Sequence, residues 1–352
     1  MDNSKLNIPK PNRNPFESKK IKVDFERTSR WERFKIKYIS SNFLVLMIFK
    51  FFRFLLLLGG AFFILLPFIT MIAGSFMTHA DIVDVTVRLI PRYPTLATYV
   101  AIITENRFLP IMFNTAVLSL TAAIFQTAVC CVVGYGLAKF KFAGSKIVWA
   151  AVILTLIIPH PLLRYSMGLH FQFFDVGIIS RIFNGSGLLR LFGNTTGINL
   201  LNSNVPLFLL SVTGLGFKNG LFIFFFRQYF KGVPDELEES AYIDGSGVFR
   251  TFIKVILPLA VPMLITVFML SFAWQWTDEF YSNIFFPAGG NRLLPDILAT
   301  IPHSLALDGR SPIFDAAIRN TTGLLIIIPL VIIYLFFQRR IIQGIERSGI
   351  TG

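Results

Sequence analysis

Apolar residues in this chain fall into long uninterrupted runs instead of alternating with polar ones. Six runs come near the ~20 residues that an α-helix needs to cross the ~30 Å hydrocarbon core of a bilayer. They lie at about 54–76, 111–138, 146–170, 205–230, 252–276 and 316–337. Helices satisfy every backbone polar group within their own segment, which lipid demands. The pattern therefore predicts an all-α polytopic membrane protein with six spans. Three segments follow from it: a basic tail with an interfacial helix over 1–53, a transmembrane domain over 54–338, and a short tail over 339–352. The approach from Trp31 to Arg53 is amphipathic, and Lys50 and Arg53 disfavour its burial, so it is expected to lie in the membrane interface. Gly59, Pro67, Gly134, Pro159, Pro161, Gly216, Pro262 and Pro329 fall inside runs, where they serve close helix packing, kinks or hinges.

Charge orients the runs. Residues 1–53 hold 13 Lys/Arg against 5 Asp/Glu, and the 139–146 connection carries Lys139, Lys141 and Lys146 with no acid. By the positive-inside rule both face the cytoplasm, as does the tail with Arg339, Arg340 and Arg347. An even number of spans then places both termini inside. The 227–254 connection, whose acids at least balance its bases, is placed inside by alternation alone. The long 171–204 connection faces outward, as an interfacial loop or a short helix for an external partner. The start of the chain is polar, without the apolar core of a signal peptide.

Composition narrows the class. The chain is 54% hydrophobic and 15% charged, with 39 Phe, and a soluble fold could not hide so much apolar surface. The net charge of +13 is largely a topology signal, so no nucleic-acid partner is expected. Cys130 and Cys131 are adjacent within an apolar run and read as small hydrophobes. The scattered His79, His160, His170 and His303 read as structural, and no metal site is expected. No G-x-x-x-x-G-K-[ST] phosphate cradle occurs, and no H-E-x-x-H or G-x-S-x-G. The chain is thus expected to be no enzyme, to bind no cofactor, and to draw any ATP-derived energy from other polypeptides.

The most informative stretch is 233–262. Pro234 suits a first helical turn, and Asp235 and Glu236 follow where the helix dipole favours anions. The helix continues to Ile243, and Gly245, Ser246 and Gly247 end it before a second helix from about Val248. A short acidic helix is thereby held between two spans, where it can transmit force from a soluble partner. This loop, 231–250 with its continuation to 258, resembles the EAA loop of binding-protein-dependent ABC importers. That pattern is E-A-A, three residues, G, nine residues, I, one residue, L-P. Glu239-Ser240-Ala241, Gly245, Val255 and Leu257-Pro258 stand at its positions, with Ser240 for Ala and Val255 for Ile. Phe224–Phe230, Tyr242–Gly245, Pro94-Thr95-Leu96 and Asn114-Thr115 are similar to the carbohydrate-uptake branch, and about 54–350 resembles the shorter permease of maltose-type systems.

The resemblance implies the permease subunit of a sugar importer. It implies a second permease, two cytoplasmic ATPases that use the ATP, and an external solute-binding protein. Glu239, Ser240, Ala241, Asp244, Gly245, Leu257 and Pro258 become the ATPase-coupling residues, and the 344–352 tail is similar to tails that reach the ATPase pair. The alternative within the class is a non-sugar or acidic-sugar solute. A proton-coupled carrier needs mid-membrane carboxylates, and the run interiors hold essentially none.

Candidates for the substrate pathway are polar or aromatic residues inside runs. Lys218, beside Asn219, lies near the middle of the fourth run, where its charge costs about 3 kcal/mol at a helix centre. It is expected to face the pathway, to snorkel, or to pair with Asp278 or Glu279. Gln126, Trp274, Gln275 and Trp276 are further candidates, since aromatic rings stack on sugar faces, although Trp near a span end is also an ordinary interfacial anchor.

Overall fold

The computed structural model describes residues 41–174, 198–216, 218–287, 293–306 and 311–347. The expected N-terminal tail to residue 40, most of the 171–204 connection and the last five residues lie outside the described residues. The described fold is all-α; the pairing of Phe174 with Ile198 is an isolated β-bridge.

The chain divides into two units, one ending at Phe68 and one beginning at Ile69. The first is described from residue 41 and consists of most of α1, Ser41–Ser75. This helix has no break at residue 53: the expected interfacial approach and first span form one continuous rod from Ser41, with Lys50, Arg53 and Pro67 along it. Its apolar side chains, Phe52, Leu57 and Phe63 among them, are exposed.

The second unit holds the packed bundle. After α2 (His79–Val83) and α3 (Ala97–Glu105), α4 runs unbroken over Phe108–Lys139. Its 32 residues make about 48 Å, enough to cross a bilayer. The last helix, α14, Pro312–Arg347, is equally continuous. The three expected spans between them are bent or broken. The third is α5 (Ser145–Ile157) followed, through a 3₁₀ turn at His160–Leu163, by α6 (Arg164–Gln172), with a bend of 98°. Pro159 and Pro161 cannot continue the backbone ladder there. The fourth is α7 (Val205–Val212) and α8 (Asn219–Lys231), with a break between them. The fifth is α10 (Val248–Leu259), which contains a π-helical turn at Phe252–Ile256, then a 76° bend into α11 (Val261–Trp276) at Pro262. The short helices α9 (Glu236–Ile243), α12 (Phe280–Phe285) and α13 (Leu294–Ile297) complete the set.

Among the described residues, three helices are long and apolar enough to span a membrane, or up to five if each bent pair is one span. The fourth expected span is divided by its break into helices of 8 and 13 residues, each too short to cross alone.

Aromatic packing holds the bundle together. Phe222, Phe226 and Phe230 of α8, fully buried, meet Tyr135 of α4 and Ile256, Met263 and Val267 of α10–α11. The close approach of α4 to α8 requires Gly134, because a Cβ there would lie 2.5 Å from Phe226 Cβ. A second cluster joins α3, α4, α11, α13 and α14, and a third joins α6, α7 and α12.

Candidate functional site

Two polar constellations stand out, and α4 carries a member of each. The first surrounds α9. Pro234 and Asp235 lead into the helix, and Glu236, Glu238 and Glu239 fall in its first turn, where free backbone N–H groups favour carboxylates. Asp235 sits at the N-cap without capping through its side chain. Its carboxylate is taken instead by Lys139 at the end of α4, 2.5 Å away. The same ammonium donates to the Val233 carbonyl at 2.6 Å and lies 3.8 Å from Glu238 Oε1. The Lys139 side chain is 5% exposed, so three acceptors converge on one nearly buried cation. Its hydrogen bond holds the Asp235 carboxyl below the usual carboxylate range. Burial pushes Glu238 up, and the charge of Lys139 opposes that rise.

The far end of α9 closes as a Schellman motif. Gly245 N–H donates to the Tyr242 carbonyl at 3.0 Å and Ser246 N–H to the Ala241 carbonyl at 2.9 Å. Gly245 has φ +80°, and nothing stands within 4 Å of where its Cβ would be. Glycine is needed for its left-handed backbone, not for space. Ala241 and Glu238 face inward, while Glu239, Ser240, Asp244 and Pro258 are exposed and Leu257 is half-buried. Around them, Leu237, Tyr242, Ile243, Val248 and Phe249 form an exposed apolar face, Ile243 at 86% and Phe249 at 76%. Exposed apolar side chains gathered on α9 and at the start of α10 mark an interaction surface.

The second constellation lies inside the bundle where α4, the α7–α8 break and α11 meet. Ser271 Oγ donates to Gln126 Oε1, and Gln126 Nε2 lies 3.5 Å from Ser211 Oγ. A Cβ at Gly216 would stand 2.9 Å from Gln126 Nε2 and 3.2 Å from Asn219 Nδ2, so two amides converge on the break. Lys218 is not in mid-helix: it precedes α8 with φ +60°, and its ammonium lies 3.5 Å above the Trp274 ring. Trp274 stacks on Phe222 at 5.5 Å. Gln126, Phe222, Ser271, Trp274 and Gln275 line a cavity of about 10 Å³, room for about one water.

Of the residues expected in the pathway, Lys218, Asn219, Gln126, Trp274 and Gln275 are thus brought together. Trp276 turns away and donates Nε1–H to the Ile326 carbonyl in the core beside α14, at 2.9 Å. Asp278 accepts the Tyr281 N–H at the start of α12, at 2.9 Å. The sequence reading missed Lys139 as a site residue. It also missed Arg227, whose guanidinium lies 3.8 Å over the Trp149 ring.

Residues 131–347, from within α4 to the end of α14, match the family described as binding-protein-dependent transport system inner membrane component. The chain belongs to this family. The permease is accordingly a membrane transport subunit and not an enzyme. It is similar to the arabinooligosaccharides transport system permease protein AraQ of Halalkalibacterium halodurans, 27% identical over 295 residues, covering 83% of this chain and 93% of that one. It is similar also to the sulfoquinovosyl glycerol transport system permease protein SmoH of Agrobacterium fabrum, 26% identical over 299 residues, covering 85% and 91%. A chain in the crystal structure of a bacterial ABC transporter involved in the import of the acidic polysaccharide alginate superposes with a TM-score of 0.61 at 20% identity. That match covers 89% of this chain and 98% of the other, and it is a likeness of fold.

Proposed function

We propose that this permease forms half of the translocation pathway of an ATP-driven importer for sugars or oligosaccharides. It acts in a prokaryotic inner membrane beside a second permease, two ATPase subunits that use the ATP, and an external binding protein. Six spans with both termini cytoplasmic agree with its loop charges. The bent pairs α5–α6 and α10–α11 and the broken pair α7–α8 serve as three of those spans. The printed functions of the similar permeases, arabinooligosaccharide and sulfoquinovosyl glycerol transport among them, support a carbohydrate-type solute.

The observation that carries the coupling part is α9: a short helix fixed at one end by Lys139 and at the other by Gly245, with an apolar face turned outward. The apolar face, with Glu239, Ser240 and Asp244 at its margin, seats in the ATPase. Ala241 packs the helix inward, and Leu257 and Pro258 carry its movement into α10. Gln126, Lys218, Asn219, Trp274 and Gln275 line the pathway. Replacing Ile243 with Asp puts a charge into the seat. Co-purification of the ATPase with the permease should fall by more than about 100-fold, since a desolvated unpaired charge removes several kcal/mol of binding. Undiminished co-purification by Ile243→Asp would remove α9 as the docking element.

A further inference from the structure

The cluster at the α7–α8 break carries chemistry that a general sugar pathway does not require. Helix α8 has 13 residues and ends at Lys231, so its N-terminus lies about 20 Å along the bundle from that end. A helix N-terminus at such depth presents positive potential to whatever occupies the break. Lys218 adds a full charge at the same point. It holds a left-handed backbone conformation, uncommon for a residue with a Cβ, and its ammonium is fixed above Trp274.

A second observation is independent of the backbone. Asn219 is 1% exposed, and neither its Nδ2 nor its Oδ1 has a hydrogen-bond partner. Gln275 is 6% exposed with Nε2 unpartnered. Buried polar groups are ordinarily paired, so three unpaired atoms in one cluster indicate bonds reserved for a ligand. The unpaired atoms are weighted to donors, two amide nitrogens against one acceptor, and they lie beside the helix N-terminus and the positive charge of Lys218. Trp274 and Phe222 add an apolar platform suited to a sugar ring.

We propose that the α7–α8 break binds an acidic group of the transported solute, with Lys218 as its counter-charge and Asn219 and Gln275 hydrogen-bonding neighbouring oxygens. The solute is then an acidic sugar. This rests on the reading of the cluster as pathway. The cavity holds about one water in the conformation described, so the solute enters when the break and the neighbouring bends open.

The test uses the permease–ATPase complex without its binding protein, titrated with D-glucuronate and D-glucose and followed by tryptophan fluorescence. The two probes differ only in the acidic group at carbon 6. Glucuronate should bind about 10-fold more tightly, as expected for a charge-assisted contact. Lys218→Met should bring the two within about twofold, Lys218→Arg should retain most of the preference, and Trp274→Phe should remove most of the signal. Equal binding of both probes by the unaltered complex, a preference that survives Lys218→Met, or no saturable response to either probe would overturn the proposal. Binding-protein-stimulated ATP hydrolysis, measured on the same preparation, separates the two readings. If it persists while the preference is absent, the importer stands and the acidic solute does not.

Discussion

At its end, α4 offers Lys139 to the Val233 carbonyl and Asp235, which it hydrogen-bonds, and to Glu238, with which it forms an ion pair at 3.8 Å. Thirteen residues earlier on the same helix, about 20 Å away, Gln126 belongs to a cluster in which Asn219 and Gln275 keep atoms without partners. Both regions are polar, and both are built from elements distant in sequence. They differ in how charge is held: in the first a cation is met by two carboxylates, and in the second neutral amides gather beside an ammonium placed over an aromatic ring. An ion-paired joint ties two elements together, so it suits the transmission of force. An unsaturated cluster awaits a ligand and suits selection of solute. On the reading proposed above, the α9 end serves coupling and the α7–α8 break recognition.

The strongest way to break this comparison is to remove the cation from the joint. Lys139→Met leaves Glu238 buried without its cation and Val233 without its donor. The amount of solute moved per ATP should fall about 10-fold, in keeping with the penalty for orphaning a buried charged partner. Lys139→Arg should recover part of it, because a planar fork does not fit three acceptors gathered around a point. A flux assay in proteoliposomes with parallel phosphate release measures both.

A smaller effect is expected at the other end of α9. Gly245→Val forces a β-branched residue into the left-handed region, at about 1–2 kcal/mol, and unseats the Schellman closure. Gly245→Asn should be milder, since Asn tolerates that conformation. Coupling should decline in the order Gly, Asn, Val while the permease stays in the membrane. An equal loss for Asn and Val would indicate that space, not backbone conformation, is decisive.

The smallest effect lies beside the recognition cluster, at Asp278. Burial raises its pKa to about 6, above the unfolded value. The folded state therefore binds the proton more tightly, and the stability linked to it is complete below about pH 4 and lost as pH rises through about 6. Asp278→Asn should match the unaltered protein at pH 4–5 and exceed it at pH 8 by on the order of 1 kcal/mol. Thermal unfolding at the two pH values reads this directly. A variant less stable at pH 8 would show that the ionised carboxylate, through its bond to the Tyr281 N–H, outweighs its burial.

What was legible in the sequence was local. The start and stop of α9 are written in residues 234–245, and the long apolar runs that became α4 and α14 needed only their own hydropathy. The bends were marked by Pro159, Pro161 and Pro262, yet a proline marks packing and hinge alike. The break before α8 was hidden because Gly214, Gly216 and Lys218 interrupt an apolar run too briefly to end it. Lys139 read as a topology charge, since its partners lie 94 and 96 residues further on. Similarly, nothing local distinguishes Glu238, which turns inward, from Glu239, which is exposed.

The most direct test of the division between joint and cluster is the ratio of solute imported to ATP hydrolysed, measured side by side for Lys139→Met and Lys218→Met in the reconstituted importer. Lys139→Met should hydrolyse ATP but lower the ratio for every solute. Lys218→Met should lower uptake of acidic solutes while keeping the ratio for whatever it still carries. The same change in ratio for both variants would contradict the account.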